Sequence, residues 1–200
     1  MKRVVFFFSL ALMAACAKSP QGNGSPSPAT GTVDSTRAPA SPSAAPLSPA
    51  DSASAVIAGD TVQIRYSSPA MRGRTIFGGL VPFGQVWRTG ANAATSFVTT
   101  TDVVINGISV PKGRYTLYSI PERAADGSVS WQLIVNKQVG QWGTEYHPEM
   151  DLVRIPLKVS STTEPVERFD ISLEPSGEDR ATLALEWERT RGTADVVVKR

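Results

Sequence analysis

Val103-Val104-Ile105-Asn106-Gly107-Ile108-Ser109-Val110 sets two apolar runs on either side of an Asn-Gly pair. Asn-Gly between such runs is the strongest short-range hairpin signal, because a two-residue type I′ turn needs positive φ at both central positions. The same punctuation recurs outward from this point. Pro111-Lys112-Gly113 turns the chain into Arg114-Tyr115-Thr116-Leu117-Tyr118-Ser119-Ile120, and Asp126-Gly127 turns it into Val129-Ser130-Trp131-Gln132-Leu133-Ile134-Val135. Upstream, Val62, Ile64 and Tyr66 alternate with Thr61, Gln63 and Arg65. Downstream, Val153-Ile155-Leu157-Val159, Phe169-Ile171-Leu173 and Leu183-Leu185-Trp187 each place apolar side chains at every second position. A period of two with a polar opposite face describes antiparallel strands buried on one side. Val196-Val197-Val198 is expected to close the sheet.

No window of helical length carries a 3.6-residue stripe; the best helical candidate is a turn or two around Val139 to Tyr146. Eight to ten short strands joined by turns predict an all-β domain over residues 56–200, an antiparallel β-sandwich or, failing that, an open β-barrel.

The alternation fails between Ser67 and Ser96, a Gly-rich stretch of a length that compact domains seldom keep unless it builds a site. Within it, Arg72-Gly73-Arg74-Thr75-Ile76-Phe77-Gly78-Gly79-Leu80-Val81-Pro82-Phe83-Gly84-Gln85-Val86-Trp87-Arg88-Thr89-Gly90-Ala91-Asn92 resembles the signature of a secreted bacterial family without assigned activity, the domain-of-unknown-function family 2911. Val110 to Leu117, Asn136 to Gly143, Val166 to Phe169 and Leu185 to Glu188 resemble the same family, so the likeness runs from about Asp60 to Arg191. The resemblance implies a secreted, mostly β domain and supplies no catalytic residues.

Candidate site residues gather in and near that stretch. Arg88 and Asn92 flank Gly90 and offer a guanidinium fork and an amide to a carboxylate, sulfate or sugar hydroxyl, with the Trp87 indole beside them as a stacking face. The bland alternative pairs Arg88 internally and gives Asn92 a tight turn. Arg72 and Arg74 form a small basic loop in which amides of Gly73, Gly78 and Gly79 could converge on an anion; a solvated loop competes with that reading. Trp142 and Tyr146 belong to a second irregular stretch, Gln138 to Asp151, and complete the set of ligand-binding candidates. His147 lies there beside Glu145, Glu149 and Asp151, at spacings matching neither a zinc site nor an EF-hand. No Gly-x-Ser-x-Gly elbow, nucleotide-binding P-loop or separated carboxylate pair stands out, so no catalytic residue, metal ligand or cofactor is assigned.

The N-terminus reads as an address. Met1-Lys2-Arg3 precedes an apolar run to Met13 that is too short to span a bilayer, as in a secretory signal peptide over residues 1–15. Leu12-Met13-Ala14-Ala15-Cys16 resembles a lipobox, which makes the chain's single cysteine the expected acylation site and a lipid bilayer the expected partner. Ala17, rather than an acidic residue, points to the outer membrane. Of the 39 residues from Ala17 to Ala55, 31 are Ser, Ala, Pro, Gly or Thr, so residues 16–55 are expected to form a disordered tether.

The formal charge of +2 resolves in the same way: Lys2 and Arg3 account for it, and the folded part balances 16 bases against 16 acids. That neutrality excludes a nucleic-acid binder built on a basic face. One cysteine excludes a disulfide framework, and one histidine excludes sites built on several imidazoles. The sequence thus predicts an exported, lipid-anchored envelope protein whose β domain binds a glycan, a peptide or an envelope protein without catalysis. The alternative is a hydrolase of an envelope polymer using loop carboxylates or His147.

Overall fold

The computed structural model describes residues 46–199, which lie in one compact unit, Ser43–Arg200. The signal segment, Cys16 and the tether up to residue 45 lie outside the described residues. The strands are β1 (Ala50–Ile57), β2 (Asp60–Ser67), β3 (Thr95–Thr99), β4 (Val103–Ile105), β5 (Ile108–Val110), β6 (Gly113–Arg123), β7 (Val129–Asn136), β8 (Asp151–Pro175) and β9 (Arg180–Val198). Among the described residues the one helical turn is 3₁₀, at Pro148–Met150.

The all-β expectation holds, and the sandwich takes a particular form. One nine-stranded antiparallel sheet runs β1-β2-β3-β6-β7-β8-β9-β4-β5 and does not close into a barrel. Its two halves share β8: Trp131 to Asn136 of β7 pair with the first residues of β8, while Lys158 to Pro175 pair with β9. The sheet doubles over at this shared strand, so Phe97, Leu117, Trp131, Leu133, Phe169, Leu185 and Trp187 from both halves meet in one core. The Asn-Gly hairpin forms as read, with Ile105 opposite Ile108 and φ of 45° at Asn106 and 83° at Gly107. The three C-terminal valines pair with β4, inside the sheet rather than at its edge.

The domain boundary at residue 56 needs correction. β1 starts at Ala50 and pairs in full with β2, from Ala50 opposite Ser67 to Ile57 opposite Asp60. Ala53, Ala55 and Ile57 face the core while Ser52, Ser54 and Val56 face out. Window composition hides this strand because its inward residues are small. The alternation is present nonetheless, and β2 supplies the hydrogen bonds that weak strand propensity does not.

Candidate functional site

Between β2 and β3 the chain leaves the sheet at Ser68 and returns at Ala94, and four sets of bonds hold this excursion in place. It pairs briefly with β8, through Phe169 N to Pro69 O at 2.9 Å and Met71 N to Glu167 O at 2.8 Å. Glu188, on β9 with φ 56°, accepts from the amides of Ile76 at 3.2 Å and Phe77 at 3.3 Å. Trp87 adds itself to the flank of β6, exchanging both backbone bonds with Ser119 at 2.7 and 2.8 Å. Ala91 N donates to Ser67 O at 3.1 Å. Ile76 and Phe77 are buried, so their amides need a protein acceptor. Converging amides do occur in this loop, and the chain's own Glu188 carboxylate occupies them. The amides of Gly78 and Gly79 are bonded to Val81 O and Ile76 O within the loop.

The excursion, the β6 flank and the Gln138–Asp151 stretch enclose a groove of about 530 Å³. Trp87 lies in it, stacked on Trp187 at 5.4 Å and 23° between ring planes, with the Phe169 edge 4.8 Å away. Tyr118 and Tyr146 meet edge to face at 4.9 Å and add a second aromatic surface. Tyr118 donates to Glu145 O at 2.6 Å and accepts from Gln141 Nε2 at 3.0 Å. Tyr146 donates to Asp151 Oδ2 at 2.7 Å and accepts from Arg154 Nη2 at 3.1 Å. Burial first, then the Asp151 carboxylate, pushes the Tyr146 phenol up to about 12, so it remains a neutral hydroxyl at physiological pH. Burial raises Tyr118 as well.

Arg74 and Arg88 are the charged residues of the lining, and no aspartate or glutamate is among the lining residues. Arg74 is committed to the loop, with Nε to Met71 O at 2.9 Å and Nη2 to Ala70 O at 2.7 Å. Arg88 gives Nε to Gly90 O at 3.2 Å. Among the described residues its two terminal nitrogens make no further protein hydrogen bond, and none of the five ion pairs includes Arg74 or Arg88. A half-buried guanidinium with its fork open, beside aromatic faces and away from acids, is equipped to receive an anion in two-pronged fashion.

Four sequence candidates thus line one groove: Arg74, Trp87, Arg88 and Tyr146. Three lie beside it. Arg72 is exposed, with its guanidinium on Leu47 O at 3.0 Å and its amide on Glu167 Oε1 at 2.9 Å. Asn92 takes a turn conformation at φ 59°, its carbonyl accepting from Gly143 N at 3.1 Å and its amide reaching Ser48 O at 3.5 Å. Trp142 is 51% exposed and adjoins the lining residue Gly143. Arg88, Asn92 and an indole therefore do not converge as a trio; Arg88 and Trp87 do. His147 stands on the exposed 3₁₀ turn, its Nδ1 3.1 Å from Glu149 Oε1, and does not line the groove. Sequence reading missed Tyr118 and Trp187, whose strand alternation marks them as core, and Gly143, for which only the Trp142-Gly143 pairing gave a cue.

Gly143 supports the position of Arg88. A Cβ there would lie 2.7 Å from Arg88 Cδ and 2.7 Å from the Asn92 carbonyl oxygen. The Arg88 stem can move but the carbonyl cannot, so Gly143→Ala is expected to cost about 1–3 kcal/mol of stability as an overpacking change. It should also displace Arg88. Thermal denaturation, together with the arginine side-chain NMR signal, checks both effects.

Comparison with known proteins is brief. A family model described as a protein of unknown function, DUF2911, matches residues 48–196. No curated protein and no solved structure matches the chain.

Proposed function

Because the chain belongs to the DUF2911 family, whose description names no activity, we propose its role from the groove: the domain is a binding module for an anionic glycan, carried on an exported envelope lipoprotein acylated at Cys16. The carrying observation is the open Arg88 fork beside Trp87 in an aromatic groove whose lining holds no acid. Sugars offer apolar ring faces to aromatic side chains, and a uronate or similar group offers the planar anion that a guanidinium binds through two parallel bonds. A lining without acids leaves the guanidinium charge available to a ligand. It also withholds support from a carboxylate-based hydrolase, which needs two acids facing across the cleft. A peptide carboxylate would use the same fork; the sugar reading is preferred because the fork lies beside the Trp87 face, on which a sugar ring stacks.

Glucuronate oligosaccharides test this reading against neutral glucose oligomers of equal length, by calorimetric titration. The acidic series should bind and the neutral series should not. Arg88→Gln removes a charge-assisted pair of bonds and should weaken binding by roughly 10- to 100-fold while leaving the denaturation midpoint nearly unchanged. Equal binding of the neutral series, or an indifferent Arg88→Gln, would remove the anion from the proposal.

A further inference from the structure

The exposed apolar side chains of the domain are unevenly placed. Leu80, 45% exposed, and Val86, 36% exposed, both line the groove, and Leu47 and Trp142, at 69% and 51%, immediately precede the lining residues Ser48 and Gly143. Two of the seven large exposed hydrophobics of the described residues therefore line this concavity, and two more adjoin its lining in sequence. Apolar side chains set around a functional opening mark an interaction surface, and an exposed indole favours the interfacial layer of a bilayer.

The chain enters the fold at the same rim. Leu47 O accepts from Arg72 Nη2 at 3.0 Å, and Pro49 O accepts from Ser68 N at 2.8 Å, so residues 47–49 are fastened beside the opening. Cys16 lies 30 positions before Pro46. Even fully extended, that separation spans no more than roughly 100 Å. Acylation at Cys16 would keep the rim near the membrane at high effective concentration, where a weak interfacial contact suffices.

We infer that the groove opens onto a membrane: Leu47, Leu80, Val86 and Trp142 enter the headgroup layer, and Arg88 takes the anionic sugar of a glycolipid. The inference rests on the anion-binding reading of the groove and narrows its ligand from a free glycan to a lipid headgroup. Two weak signals, a partitioning rim and a charged contact, are the usual basis of reversible attachment to a bilayer. The rim residues have no other evident use in the fold, since they leave the core intact when exposed.

The test uses the chain from Ser43 onward, which contains every described strand and the whole core, so that neither the signal segment nor acylation contributes. Phosphatidylcholine vesicles containing glucuronosyl diacylglycerol are compared with vesicles containing glucosyl diacylglycerol, and with free glucuronate oligomers. Sedimentation with the vesicles is one readout; the other is tryptophan emission, compared with that of Trp142→Phe to separate Trp142 from Trp87, Trp131 and Trp187. The acidic glycolipid vesicles should bind the chain and shift its tryptophan emission to the blue, a shift that Trp142→Phe should remove. Leu47→Ser with Trp142→Ala, both outside the groove lining, should weaken vesicle binding about tenfold yet leave binding of the free oligomers intact. Arg88→Gln should lose both, and Val56→Ser, elsewhere on the surface, neither. Binding of oligomers without vesicle preference, or full vesicle binding by the Leu47/Trp142 variant, would overturn the membrane assignment and leave the glycan reading standing. Failure of the free oligomers to bind would overturn both. Equal binding to neutral glycolipid would overturn the role given to Arg88.

Discussion

Trp187→Ala is expected to lower the stability of the domain by about 4 kcal/mol and to remove ligand binding in the same step. Trp187 is completely buried. It stacks under Trp87 at 5.4 Å, meets Phe169 at 5.7 Å, and donates its indole N–H to Glu167 O at 3.3 Å. Removal of the indole opens a cavity between the two halves of the sheet and leaves the Glu167 carbonyl without that donor. Trp87 then loses the plane on which it rests, so the groove changes shape at its aromatic face. A domain of this size has roughly 5–15 kcal/mol in all, so the loss is a large fraction of the total. Urea denaturation should show a lower midpoint at unchanged slope. Trp142→Ala is the contrast, with a smaller expected loss of about 1–2 kcal/mol because half of its side chain is in water. Equal midpoints for the two variants would show that the aromatic cluster is not the centre of the core.

The second large effect is alkaline. The chain has four tyrosines, and burial is the leading cause that raises each of them: Tyr66, Tyr115, Tyr118 and Tyr146. Tyr66 is held between the halves of the sheet, accepting from Ile171 N at 3.0 Å and donating to Asp170 Oδ1 at 3.3 Å. The sign follows from linkage. Below pH 10 both folded and unfolded chains keep their phenol protons and the tyrosines leave stability unchanged. Above it the unfolded chain releases protons that the folded chain retains, so stability falls as pH rises toward the folded values. Each fully retained proton costs about 1.4 kcal/mol per pH unit, so buried Tyr66 alone sets a slope of about that size, and Tyr118 adds to it in the same direction. The contribution of Tyr146 levels off near 12. Phenolate absorbance and circular dichroism should therefore change together in one cooperative step above pH 10. Smooth titration of the phenols near 10 with the dichroism intact would contradict their burial. Asp170 behaves in the same sense at acid pH: burial raises its carboxyl, so its ionisation opposes folding and Asp170→Asn should not weaken the domain at neutral pH.

The strand pattern was legible wherever a side chain of good size marked every second position, as in Val62-Ile64-Tyr66 or Leu183-Leu185-Trp187. It was not legible in Ala50–Ile57, where alanine and serine alternate and only pairing with β2 reveals the strand. The length of β8 was equally hidden. Its two apolar segments read as separate strands because register shifts between Ser161 and Asp170 break the alternation without ending the pairing. At the site, the failure of periodicity from Ser67 to Ser96 marks a segment that lines the groove, with Trp87 and Arg88 among its lining residues. Asn92 could not be placed from sequence, since four positions around a glycine say nothing of direction when Gly90 sits at φ 151°. Glu188 was beyond reach for another reason: it belongs to a polar strand face, and its function depends on amides more than a hundred positions away.

The pairing of β4 with the last three valines has a consequence for how the molecule is made. Val103 opposite Val198 and Ile105 opposite Val196 join segments more than ninety positions apart. Until the terminal residues emerge, the β4–β5 hairpin has no neighbour and β9 cannot seat Val196 and Val198 in the core. Contacts of such separation in sequence form slowly. The hairpin therefore takes its place in the sheet only once β9 is there to receive it, which makes one edge of the fold the last part to set.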